Sequence, residues 1–128
     1  MLPSFLKEID NPSMQDVGYA QHIELLNYLK TNGQTPLVLD SKQVLINPEN
    51  TLKILCQKIG IPFDKKMLSW RKGPRVEDGV WAKHWYGNVH NSTGFNPYIP
   101  KNEDFPEKLI PLLNECQPHY NLLKSLSI

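Results

Sequence analysis

Between Trp70 and Phe95 the chain gathers the residue types that hold an anion: cations, glycines, three tryptophans and two histidines, with little regular hydrophobic periodicity. Lys65, Lys66, Arg71, Lys72 and Arg75 place five of the fourteen basic residues within eleven positions, with Gly73-Pro74 among them. Glycine lets backbone N–H groups approach a ligand closely, and arginine offers a planar fork that matches phosphate oxygens. A dianionic phosphate monoester suits such a loop. A solvated turn with scattered charges accounts for the composition equally well. The stretch therefore reads as a loop-to-helix anion site, with Arg71, Lys72, Gly73 and Arg75 as its candidate ligands.

Trp81 and Trp85 fall on one face at helical spacing, with Tyr86 beside them. Such a pair is expected in a core, and stacking on an adenine is the sharper alternative. Trp70, just before the basic loop, is a comparable stacking candidate. No metal site is expected: His84 and His90 are six apart, His22 and His119 are remote, and no carboxylate completes a set. There is no Gly-x-Ser-x-Gly elbow and no glycine-rich Gly-Lys-Ser/Thr loop between a strand and a helix.

The 128 residues fit one domain. A net charge of +1 gives no global signal for polyanions, which speaks against general nucleic-acid binding. Eleven prolines stand at element starts and loops rather than in a low-complexity tract, which argues against disorder. Cys56 and Cys116 each sit inside an apolar helical pattern and read as reduced core thiols, placing the chain in the cytoplasm. No apolar run approaches the ~20 residues that span a bilayer, and no secretory leader is legible, so no membrane association is expected.

These residues need elements to position them. Leu2, Phe5, Leu6 and Ile9 form a stripe that reads as the tail of a helix over Met1–Lys7. Ser13-x-x-Asp16 is a capping signal for a helix running to about Thr31, with Ile23, Leu26 and Leu29 inward and Gly33 as its stop. A short helical turn spans Lys42–Ile46. Asn47-Pro48-Glu49 then starts a helix that Gly60 ends. Asp64 caps a brief helix to Met67 or Leu68, and Asp78 caps a helix from Gly79 to about Asn91. Pro106 to Leu126 reads as two helices meeting near Gln117-Pro118, because proline breaks the ladder.

Thr35 to Asp40 is a continuous apolar run bounded by turn residues, and resembles a buried parallel strand over about 36–40. The inventory is five or six helices and one strand. A strand cannot satisfy its backbone groups alone, and each buried orphan costs about 1–3 kcal/mol. The sheet is expected from another polypeptide or from a second copy of this chain.

Two tracts resemble the sulfotransferase family, whose members transfer sulfuryl from 3′-phosphoadenosine-5′-phosphosulfate (PAPS). Asp40-Ser41, Asn47-Pro48-Glu49, Leu52, Leu55-Cys56, Gly60 through Asp64 and Met67 through Trp70 resemble that family's strand, helix and turn before its 3′-phosphate loop. Gly73-Pro74-Arg75, Asp78-Gly79-x-Trp81-Ala82, Trp85-Tyr86 and Ser92 through Phe95 resemble a bacterial and plant subgroup sometimes labelled branched-chain aminotransferase-like. The resemblance implies that Arg71-Lys72-Gly73 holds the 3′-phosphate, with Arg71 and Arg75 as rivals because the spacing to the next tryptophan differs. It also implies that Ser4 is the serine that helps bind that phosphate. Its matching arginine would precede Met1.

By the same resemblance the fold is α/β, the C-terminal part of a three-layer α/β/α fold of the P-loop NTPase type, mostly helical in this chain. Residues 1–128 would form a single incomplete domain. The phosphosulfate loop, the catalytic lysine and base, and most of the sheet would lie before it. The chain would be a natural truncation, one half of a split gene or an excised piece. The leading expectation is part of a site for PAPS or its product PAP, not catalytic alone, with a separately encoded N-terminal half or a homodimer partner. The alternative is a helical protein-interaction module with a vestigial nucleotide site, whose exposed strand edge recruits a partner.

Overall fold

The computed structural model describes residues 2–100, 102 and 104–128. Eight α-helices lie among them: α1 (Leu2–Phe5), α2 (Met14–Val17), α3 (Tyr19–Thr31), α4 (Ser41–Ile46), α5 (Pro48–Ile59), α6 (Ala82–Trp85), α7 (Gly87–His90) and α8 (Ile110–Ser125). Single 3₁₀ turns at Lys65–Leu68 and Glu107–Leu109 complete the set. The backbone divides into two compact units, Met1–Leu39 with Pro100–Ile128, and Asp40–Ile99.

In the first unit the Ser13–Asp16 signal starts α2 as expected. The Ser13 N–H donates to the Asp16 carboxylate at 2.7 Å and its hydroxyl at 2.6 Å. The helix does not run on to Thr31. Gly18 takes φ 74°, a left-handed conformation that ends α2, and α3 restarts behind it. Leu26 is buried, with Ile23 and Leu29 half-buried on the same face. At Gly33 (φ 72°) the N–H groups of Gly33 and Gln34 close back on the carbonyls of Lys30 and Leu29, the paired bonds of a Schellman stop.

The core of this unit joins Leu2, Val17, Leu109, Leu112 and Cys116, with Phe5, Leu6, Met14, Tyr19 and Leu113 packed against it. Tyr19 meets Tyr120 edge to face at 6.4 Å. The two helices expected to meet at Gln117-Pro118 are one: α8 runs through Pro118. Proline removes one N–H from the ladder, and the core packing of Leu112 and Cys116 on the same helix outweighs that loss.

The expected strand does not form among the described residues. Leu37 and Val38 are half-buried, Leu39 is 41% exposed, and pairing is limited to an isolated parallel bridge between Val38 and Ser127. The Ile128 N–H donates to the Val38 carbonyl at 3.1 Å.

In the second unit local signals set most boundaries. The Asp40 carboxylate accepts from the Lys42 N–H at 2.9 Å to start α4. The Asn47 side chain accepts from Asn50 N–H at the head of α5, with Pro48 in the first turn, and Gly60 (φ 75°) stops it. Lys53 pairs with Glu49 one turn back at 2.7 Å, which holds the Glu49 carboxyl below its ordinary range. Thr51 and Cys56 are buried; the Thr51 hydroxyl donates to the Asn47 carbonyl at 2.9 Å, and the Cys56 thiol lies 3.8 Å from Met67 Sδ. Asp64 caps the following 3₁₀ turn through the Lys66 N–H at 2.8 Å.

Candidate anion-binding site

The basic loop is threaded between two anchors in the second unit. At its entrance Ser69 forms an antiparallel bridge with Gly94, and the Trp70 N–H donates to the Thr93 carbonyl at 3.0 Å. The Trp70 indole N–H reaches the Ser92 hydroxyl at 3.0 Å, and its ring meets Phe95 edge to face at 5.3 Å. Gly94 lies so close to the incoming chain that a Cβ there would stand 3.0 Å from the Leu68 carbonyl oxygen. The tract matched earlier at Ser92 to Phe95 therefore has a structural job: it receives Trp70.

The second anchor lies at the far side of the loop. Gly73 takes φ 108°, a region that disfavours any side chain, and its N–H donates to the His90 carbonyl at 2.8 Å. The Arg75 N–H donates to Asp78 Oδ2 at 2.8 Å, and His90 Nε2 meets the same oxygen at 2.8 Å. An ionised carboxylate only accepts, so His90 carries its proton on Nε2. The Arg75 N–H first, and then the imidazole, hold the Asp78 carboxyl below its ordinary pKa. Tyr86 packs on the His90 ring at 6.0 Å.

Asp78 thus caps the turn at Arg75 rather than the head of a helix over 79–91. That expected helix is two short ones, α6 and α7, each a single turn, divided at Tyr86. The expected core placement of the tryptophans is also not what forms. Trp81 is 69% and Trp85 66% exposed, while Ala82 between them is buried.

Arg71, Lys72 and Arg75 are exposed, and none of them joins an ion pair among the described residues. The backbone N–H groups of Arg71 and Lys72 have no hydrogen-bond partner there either, whereas that of Gly73 is committed to His90. Arg71, Lys72, Gly73 and Arg75 all lie on the loop of the second unit that leads into the turn at Arg75–Asp78; Ser4, in α1, is an exposed residue of the first. A cavity of about 520 Å³ in the first unit is lined by Leu2, Tyr19, Phe105, Cys116 and Tyr120 among others, and includes none of these residues. No cluster of three or more metal-ligating side chains exists among the described residues. Sequence reasoning missed the joint role of Asp78 and His90. They lie twelve residues apart, outside any helical or strand spacing, and their pairing is set by the fold.

Two kinds of likeness bear on this geometry. A family profile described as a sulfotransferase domain matches residues 1–127. The chain is 40% identical over 125 residues to branched-chain-amino-acid aminotransferase-like protein 1 of Arabidopsis thaliana, covering 98% of this chain and 22% of that protein. It is 38% identical over 124 residues to protein 2 of the same name and organism, with 97% and 22% covered. The chain therefore spans about a fifth of the length of these relatives. No solved structure matches it.

Proposed function

The chain belongs to the sulfotransferase domain family, and from that premise we propose that it carries part of the 3′-phosphate site for PAPS or PAP and does not transfer sulfuryl by itself. The observation that carries this reading is the turn at Arg71–Arg75. Its backbone is anchored at Gly73 and Arg75, while three cationic side chains and two backbone N–H groups are left for solvent or an anion. Arg71 and Arg75 are rivals for the bidentate contact, Lys72 adds a point charge, and Gly73 permits the turn. Ser4 is assigned to the same phosphate by family resemblance alone.

In-line sulfuryl transfer needs positioned charge at the leaving phosphate, which the family supplies from a phosphosulfate loop that this sequence does not display. The word aminotransferase in the relatives' names belongs to those proteins. The stretch they share with this chain coincides with the sulfotransferase match. We assign residues 36–40 to a sheet completed by strands from outside residues 1–128 or by a second copy of the chain. The half-exposed Leu39 and the lone bridge at Val38 support this. The two free, buried cysteines suit a reducing compartment, the cytoplasm.

Calorimetric titration with adenosine 3′,5′-bisphosphate tests the reading. Weak binding is expected, fading as salt rises from about 0.1 M to 1 M and the screening length falls from about 10 to 3 Å. Arg71→Ala and Arg75→Ala together should weaken it by about tenfold or more, the worth of one charge-assisted hydrogen bond. Binding that survives the double variant removes the loop from the site. No sulfuryl transfer should be seen with PAPS.

A second reading is favoured by the exposure of Val80, Trp81, Trp85 and Val89: a protein-interaction module in which the nucleotide site is vestigial. Light scattering and calorimetry together separate the two, since a dimer that binds no adenosine 3′,5′-bisphosphate supports this second reading.

A further inference from the structure

We propose that Asp78 and His90 are positioning residues for phosphate binding, holding the turn at Gly73–Arg75 in the form that presents Arg71, Lys72 and Arg75. This rests on the reading of that turn as a phosphate site. Neither residue need touch the ligand; their hydrogen bonds close a ring around the turn.

Pro74 separates two residues whose N–H groups are both tied to this pair. Gly73 donates to the His90 carbonyl and Arg75 to the Asp78 carboxylate, each at 2.8 Å. The His90 imidazole then closes the ring on the same Asp78 oxygen, again at 2.8 Å, and the Asp78 N–H returns to the Arg75 carbonyl at 3.2 Å. Both side chains in the pair are about one-fifth exposed, so the ring is shielded from water more than the loop it holds. A left-handed Gly73 followed by a rigid proline would otherwise sample several turns, and ordering them on binding would cost affinity.

The ring also fixes where the Asp78 carboxylate points. Asp78 stands three residues from Arg75 in an exposed turn, where a free carboxylate would compete with phosphate for the guanidinium. Its Oδ2 is instead engaged by a backbone N–H and an imidazole, and no ion pair joins it to Arg75 among the described residues. The Arg75 guanidinium therefore makes no direct ion pair with the carboxylate, although its charge still acts on Asp78 at longer range.

Calorimetry with adenosine 3′,5′-bisphosphate on the whole chain and three variants decides the matter. Asp78→Ala, which opens the ring, should weaken binding by about tenfold. Asp78→Asn, whose amide oxygen can still accept from both donors, should stay within about threefold of the parent chain. Arg71→Ala should lose affinity with the ring's amide protection unchanged. Equal binding by Asp78→Ala and the parent overturns the proposal, as does an equal loss in Asp78→Ala and Asp78→Asn, which would assign the effect to charge. A parent chain that binds no bisphosphate sinks the phosphate site itself and this inference with it. Should Asp78→Ala not fold, hydrogen exchange on the parent chain still decides. The Gly73 and Arg75 amides should exchange about tenfold or more slower than those of Arg71 and Val76, and equal rates would deny the ring.

Discussion

Asp78 makes the clearest prediction at the scale of single residues. Its carboxyl is held below the ordinary 3.8, first by the Arg75 N–H and then by His90. A carboxylate with a depressed native pKa stabilises the fold at every pH above its unfolded value, and that gain is lost as pH falls through the native one. Urea unfolding of the parent and of Asp78→Asn should therefore differ above about pH 5 and converge as pH falls below 3.8 and through the depressed native pKa. Asp16, lowered by the Ser13 hydroxyl and N–H, and Glu49, lowered by Lys53, share in the acid loss and should persist in both chains. Two glycines give a second pair of predictions. Gly94→Ala pushes a Cβ to 3.0 Å from the Leu68 carbonyl oxygen and should cost about 1–3 kcal/mol by denaturant unfolding. Gly73→Ala meets no atom but keeps φ 108°, so its cost of about 1 kcal/mol should come from backbone strain alone.

Elements whose ends are set by neighbouring residues were legible in the sequence. Asn47-Pro48 opens α5 and Gly60 closes it, Ser13 and Asp16 lock the start of α2, and Asp64 caps its 3₁₀ turn, because each bond spans only a few residues. What depended on distant packing was not legible. Gly18 reads as tolerable inside a helix until its φ of 74° is seen, and Pro118 reads as a break until α8 is found packed against α2 and α3. The cations of the candidate site were visible as a cluster; the Asp78–His90 ring that frames them was not, since nothing in a spacing of twelve predicts a contact. Core and helix interior can be tested together in α8. Leu109, 2% exposed at its head, should cost about 2–5 kcal/mol when cut to alanine. Pro118→Ala, restoring a helical N–H, should raise the urea midpoint.

For the whole molecule, the helical content was expected, and among the described residues no helix is long and apolar enough to cross a membrane. The strand at 36–40 was not found, because an apolar run reports burial while a strand also needs neighbours to bond to. The two buried thiols divide between the two units, Cys116 in the first and Cys56 in the second, and burial raises the Cys116 pKa further. Labelling with a chromogenic disulfide should be at least about tenfold slower than for an unfolded chain, each thiol reporting the opening of its own unit. The tryptophans are divided in another way. Trp81 and Trp85 face water, whereas Trp70 is half-buried, clasped by Ser92 and Phe95, and next in sequence to Arg71. Replacing the two outer indoles with phenylalanine would leave a single native indole beside the cations, its emission separable from that of the five tyrosines by excitation at the red edge. Occupancy of the turn could then be followed by light emission, without a dye and in the chain's own chemistry.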